Sequence, residues 1–98
     1  MYAVVTRRRM NRERMQETRD LARSEFFPKM QQAPGFVSFS LIQGEDGVNT
    51  VVVLFQSKEH AEGFRGEAEA WTRKLDEFGH QFEGQSAGEV VEHVRAGA

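Results

Sequence analysis

Residues 36–56 run FVSFSLIQGEDGVNTVVVLFQ, and the pattern in this stretch decides the fold. Phe36 to Ile42 alternates as a β-strand, which predicts Val37, Phe39 and Leu41 on one face and Phe36, Ser38, Ser40 and Ile42 on the other. Gly44-Glu45-Asp46-Gly47 is a turn, and Asp-Gly favours a tight hairpin. Val48 to Gln56 is the returning strand, and its centre, Thr50-Val51-Val52-Val53-Leu54-Phe55, is apolar on both faces. Such a run belongs in a sheet covered on both sides.

Outward toward the N-terminus, Tyr2 to Met10 opens with Tyr-Ala-Val-Val-Thr, a β-rich run ending in three arginines. Strand alternation places Arg7 and Arg9 on one face and Arg8 on the other. Asn11 is a suitable N-cap for a first helix, whose apolar stripe is Met15, Ala22, Phe26 and Met30, widened by Leu21 and Phe27. Pro28 removes a backbone donor inside that pattern and predicts a kink. Pro34-Gly35 ends the helix. Outward toward the C-terminus, Ser57 caps a second helix with apolar residues at Ala61, Phe64, Ala68, Trp71, Leu75 and Phe78, and Gly79 supplies its stop. Residues 80–88 are polar and Gly-rich, the composition of a loop. Glu89 to Val94 reads as a short last strand, with a fraying tail beyond it.

The predicted order is therefore β-α-β-β-α-β in one domain, residues 1–98. This is an α+β, ferredoxin-like fold: a four-stranded antiparallel sheet with two helices on one face. Two helices cannot cover both faces. The doubly apolar strand then points to a second copy of the same sheet, a homodimer.

Composition narrows the function classes. The 98 residues contain no cysteine, which removes disulfides, thiolate nucleophiles and cysteine metal sites. No stretch reaches the roughly 18–20 apolar residues of a membrane helix. Arg7 to Arg9 are not followed by the apolar segment of a secretory signal, so a cytoplasmic protein with no membrane partner is expected. The net charge of −2 is unevenly spread: residues 1–35 carry +4 and residues 36–98 carry −6. An asymmetry of this kind steers subunits together or attracts an anionic ligand, or is simply an uneven surface.

Pro34-Gly35-Phe36-Val37-Ser38-Phe39, the strand Val51 to Phe55 with Ser57 after it, and Ala61 and Phe64 at the start of the second helix carry a resemblance. So does Ala68-Glu69-Ala70-Trp71. From Tyr2 to Val94 the chain resembles the dimeric α/β-barrel superfamily, in particular the small antibiotic biosynthesis monooxygenase-like domains. The resemblance implies a homodimer whose sheets close into a barrel, with one pocket per subunit between sheet and helices. Activities on that fold include cofactor-free oxygenation of polycyclic phenols, haem degradation, decarboxylation and isomerisation, so the fold alone does not select among them.

The candidate residues each carry two readings. Trp71, the single tryptophan, either lines a pocket and stacks on a flat ligand or packs the second helix. With Phe27, Phe39, Phe55 and Phe64 it forms the substrate-binding set expected of an apolar cavity. His80 is a candidate proton-transfer group, or else a cap on the helix end. Arg7 and Arg9 suit a carboxylate or phenolate, or pair with the acidic half of a partner, which leaves Arg8 as plain surface. His60, His80 and His93 are too scattered for a metal site, so no metal is expected. The haem-degrading branch resembles an Asn–Trp–His arrangement, but the first strand here offers Thr6 and Arg7, and Phe64 stands where Trp is expected. RNA-recognition domains share the element order yet carry exposed aromatics and a Lys/Arg-Gly-Phe signature on the third strand, which Val51 to Phe55 lacks; nucleic acid is not an expected partner. The sequence-level expectation is a cofactor-independent monooxygenase-like protein acting on a small aromatic metabolite, with no cofactor and with His80 and Arg7 as candidate catalytic groups. The alternative is a non-catalytic dimeric small-ligand or stress-related protein, and haem degradation ranks third.

Overall fold

The computed structural model describes residues 1–97. Strand β1 (Tyr2–Arg9) leads through a 3₁₀ turn (Arg12–Arg14) into helix α1 (Met15–Leu21), a π turn (Ala22–Phe26) and helix α2 (Phe27–Gln31). Strands β2 (Phe36–Gln43) and β3 (Val48–Phe55) follow, then helices α3 (Lys58–Gly63) and α4 (Arg65–Glu77), and strand β4 (Gln81–Glu89). The sheet order is β2-β3-β1-β4 and every pairing is antiparallel. This is the ferredoxin-like α+β fold expected from the hairpin and the two helical stripes.

Local chemistry explains the boundaries. Asn11 caps the first helical segment by accepting from the Glu13 amide. Pro28 acts one turn ahead of itself. It has no N–H to offer, and the preceding turn widens to a π turn in which the Phe27 amide bonds back to the Ala22 carbonyl. Gly47, with φ +84°, closes the hairpin, and Asp46 accepts from the Val48 amide across it. Ser57 caps α3. At the end of α4, the Gly79 amide bonds to the Asp76 carbonyl and the His80 amide to the Leu75 carbonyl, a Schellman stop with Gly79 at φ +83°.

Four expectations are corrected. First, the last strand is Gln81–Glu89, not Glu89 to Val94. A strand at the sheet edge with one exposed side needs few apolar residues, so its polar composition concealed it. The ladder closes with the Val90 amide on the Met1 carbonyl, and Val91 and Val94 beyond it are 89% and 91% exposed. Second, β2 does not alternate throughout. Phe36 pairs with Phe55 and Ser38 with Leu54, so Val37 is bulged out, and Phe36 joins Phe39 and Leu41 on the helix-facing side. Third, the second helix breaks at Phe64 into α3 and α4. Fourth, Arg8 is not plain surface: it is 7% exposed beneath the helices.

The core holds Phe26 and Met30 from the first helical segment, Phe55 from β3 and Phe64 between α3 and α4. Phe26 stacks on Trp71 with ring centres 4.9 Å apart and planes 7° from parallel. Both helical segments thus pack on one face of the sheet.

Candidate functional site

The helices do not close down on the sheet along its full length. Between them lies a cavity of about 830 Å³, within the range of small-molecule sites. Its floor is the helix-facing side of all four strands. Cross-strand pairing arranges the floor in rows: Phe39, Val53, Val4 and Ala87 in one, then Leu41, Val51, Thr6 and Gln85, then Gln43, Asn49 and Arg8. Polarity therefore rises along the strands, from the aromatic end under α2 and α4 to a polar end beside the start of α1. Leu41 is 45% exposed although it lies on the inner face, because the space above it is open.

The five aromatic residues expected to bind substrate, Phe27, Phe39, Phe55, Phe64 and Trp71, all line this cavity. Phe27 and Phe39 meet at 5.0 Å and Phe55 and Phe64 at 6.0 Å, forming a continuous apolar wall. Trp71 packs the second helix, with Phe26 stacked against it, and it also borders the cavity.

The two expected catalytic groups lie elsewhere. Arg7 projects from the opposite side of the sheet, next to Gly84 of β4. His80 is buried, with 1% of its surface exposed, and is not part of the cavity wall. Its Nδ1 accepts from the Asn11 amide at 2.9 Å. A backbone N–H only donates, so the ring proton sits on Nε2 and is given to Thr18 Oγ1 at 2.7 Å. The Thr18 hydroxyl in turn donates to the Arg14 carbonyl at 2.7 Å. Burial, and then the nearby guanidiniums of Arg8 and Arg14, hold the imidazole pKa below its ordinary value. A neutral ring with both nitrogens engaged ties the end of α4 to the start of α1. Asn11 reinforces the tie through its side-chain N–H to the Phe78 carbonyl at 2.9 Å.

His60 also has a local task. Its ring bonds Ser57 Oγ at 2.8 Å and covers Gly35, whose φ is +75°. The Gly35 carbonyl accepts from Gln56, which joins the Pro34-Gly35-Phe36 turn to the end of β3. Among the described residues, no group of three or more His, Cys, Asp or Glu side chains is placed to hold a metal ion, and no helix is long and apolar enough to cross a membrane.

Sequence reasoning missed Arg8 and Asn49. These residues face each other across β1 and β3 at the polar end of the cavity, and Asn49 is only 4% exposed. Arg8 Nη1 pairs with Asp76 at 3.1 Å and lies 3.5 Å from the His80 carbonyl. The available signal was strand alternation, which already separated Arg8 from Arg7 and Arg9. An Asn in a valine-rich strand was the second.

No family model and no curated protein sequence matches the chain. Solved structures do. An inferred antibiotic biosynthesis monooxygenase from Deinococcus radiodurans superposes with a TM-score of 0.81 at 11% identity, over 100% of both chains. A Streptomyces coelicolor monooxygenase in complex with nanaomycin D gives 0.74 at 13% identity, covering 99% of this chain and 92% of the other. A haem degrader from Mycobacterium tuberculosis, with two haems in its active site, gives 0.65 at 20% identity, covering 97% and 100%. At these identities the likeness is one of architecture, and it extends over the whole chain: this protein has the fold of the antibiotic biosynthesis monooxygenase-like proteins.

Proposed function

We propose that this protein takes a flat aromatic metabolite into the cavity between sheet and helices and acts on it as a cofactor-independent oxygenase. The observation that carries this reading is the cavity itself: about 830 Å³, walled by Phe27, Phe39, Phe55, Phe64 and Trp71, in a chain of 98 residues. A small domain that leaves this much of its apolar interior unfilled gives up packing energy. A bound apolar ring would restore those contacts. The nanaomycin D complex of a protein with the same fold supports the size and flatness of the ligand.

The chemistry asks little of the protein. A phenol and O₂ yield a quinone and water, with the substrate itself supplying the electrons. The chain must exclude water, hold the ring and stabilise the phenolate that reacts with oxygen. The aromatic wall holds the ring, and a ring seated against it displaces water from that end of the cavity. Haem is the less favoured ligand, because the cavity wall contains no histidine and both nitrogens of His80 are engaged elsewhere.

A homodimer accompanies this reading. The sheet face opposite the cavity presents Ala3, Val5, Val52 and Leu54 as an apolar centre. Among the described residues this strip is half-buried, and a second sheet would cover it fully. Arg7 then lies at the edge of the subunit interface, with a role in pairing.

The test is oxygen uptake with polycyclic phenols, alongside quenching of Trp71 fluorescence. Saturable quenching with oxygen consumption supports the oxygenase. Saturable quenching without it leaves a binding protein on the same site. No quenching by any flat phenol or quinone overturns the reading.

A further inference from the structure

We infer that the cavity is polarised for an acidic ligand, and that Arg8 and Asn49 together receive an ionised oxygen, phenolate or carboxylate, at its polar end. The inference deepens the ligand assignment above and rests on it.

Three observations converge. Asn49 is only 4% exposed and lines the cavity, and among the described residues its side-chain amide makes no hydrogen bond to a protein group, so the surface it keeps is turned to the cavity. Amides so enclosed usually hold a hydrogen-bond partner, protein or ordered water. The Asn49 amide borders the cavity, where a ligand oxygen can accept from it. Arg8 stands directly opposite on β1, and its pairing uses Nη1 alone, with Asp76 and the His80 carbonyl; among the described residues Nε and Nη2 have no protein acceptor. An arginine with one edge anchored and the other open to a cavity is a fixed donor fork. The third observation is charge. The protein as a whole is acidic, but the cavity wall carries Arg8, Arg19, Arg23, Lys58 and Arg65 against the single carboxylate of Glu62. Focused positive potential in an apolar cleft draws in anions.

Arg19 adds order to the same end. It donates to Gln43 Oε1 at 3.0 Å, which fixes the Gln43 side chain beside Asn49 in the cross-strand row. A ligand would thus lie along the strands with its rings against Phe27, Phe39 and Trp71 and its oxygen toward Arg8. That oxygen is where a phenolate must be stabilised if the bound ring is to react.

The test uses two matched probes, 2-hydroxy-1,4-naphthoquinone, an anion at neutral pH, and its 2-methoxy ether, titrated by Trp71 quenching. The wild-type protein is expected to bind the anion about tenfold or more tightly over the ether, as hydrogen bonds to a charged group imply. In Asn49→Leu and in Arg8→Met the ratio is expected to fall toward one. Asn49→Asp, which sets a carboxylate against the ligand oxygen, should remove the preference as well and covers the case in which Arg8→Met does not fold. Equal wild-type affinity for the two probes overturns the polar end while leaving the aromatic cavity standing. A preference that survives all three substitutions also overturns it, by moving the charge recognition to Arg19 and Arg23. Binding of neither probe overturns the cavity assignment and this inference together.

Discussion

Replacing His80 tests whether the histidine is a structural pin or a reacting group. In His80→Ala the Asn11 amide loses its acceptor in a buried setting, and the ring leaves a void between α1 and α4. An orphaned buried donor costs about 1–3 kcal/mol. With a partly relaxed void the total is about 3 kcal/mol, or a fall in Tm of about 15 °C for a domain of this size. His80→Asn offers an amide oxygen near the Nδ1 position and should recover roughly half of the loss. The pH dependence gives a second readout. The folded-state pKa of His80 lies below that of the unfolded chain, because burial and the Arg8 and Arg14 guanidiniums disfavour the charged ring. Asp76 and Glu17 are paired with these same guanidiniums, Asp76 with Arg8 and Glu17 with Arg14. Below about pH 6.5 the unfolded chain therefore binds more protons, and stability is lost as pH falls. That loss is absent from His80→Ala, so the Tm gap between the two proteins should narrow from pH 7.5 to pH 5. Differential scanning calorimetry at one protein concentration measures both effects. A variant that melts within about 2 °C of the parent, with a gap constant in pH, would refute the structural role assigned to this ring.

Other substitutions probe other links. Gly35→Ala puts a Cβ into the ring of His60 at a positive φ, and chemical denaturation should show a loss of more than about 1 kcal/mol. Asn11→Ala removes both the helix cap and the bond to the Phe78 carbonyl, and the same assay should give a loss of about 1–2 kcal/mol. Leu54→Lys charges the apolar centre of the open sheet face, and sedimentation should show a shift from dimer to monomer with the fold retained in circular dichroism. Phe64→Ala empties the junction of α3 and α4, and thermal melting should reveal a loss of about 3–5 kcal/mol.

The hairpin, both helical stripes and the caps at Asn11, Ser57 and Gly79 could be foreseen because each rests on local rules: alternation, a period near 3.6, and a polar or glycine residue at the right end. The bulge at Val37 could not. It turns Phe36 inward to meet Phe55, and only the pairing of β2 with β3 reveals it. Strand β4 was hidden for a related reason. Its stability comes from backbone bonding to β1, and residues such as Gln85 and Gly84 carry no strand signature of their own.

At the site, the aromatic wall was legible because large apolar residues have few other destinations in so small a chain. The roles of His80 and Arg8 were not. A histidine after a helix stop and an arginine in a strand look exposed in sequence, and both are buried because non-local partners satisfy them: Asn11 and Thr18 for His80, Asp76 for Arg8. Asn49 illustrates the same limit from the other side. In β3 it reads as a polar interruption of the valine run, and only the fold shows that it lies in the cavity floor.

The most direct test of the cavity as a ligand site is a nuclear magnetic resonance titration with 2-hydroxy-1,4-naphthoquinone, following the Trp71 indole N–H and the methyl groups of Val4, Val51 and Val53. Saturable shifts at these positions, with Ala3, Val52 and Leu54 on the opposite face unmoved, are the predicted result. Shifts confined to the opposite face, or none at saturating quinone, would contradict it.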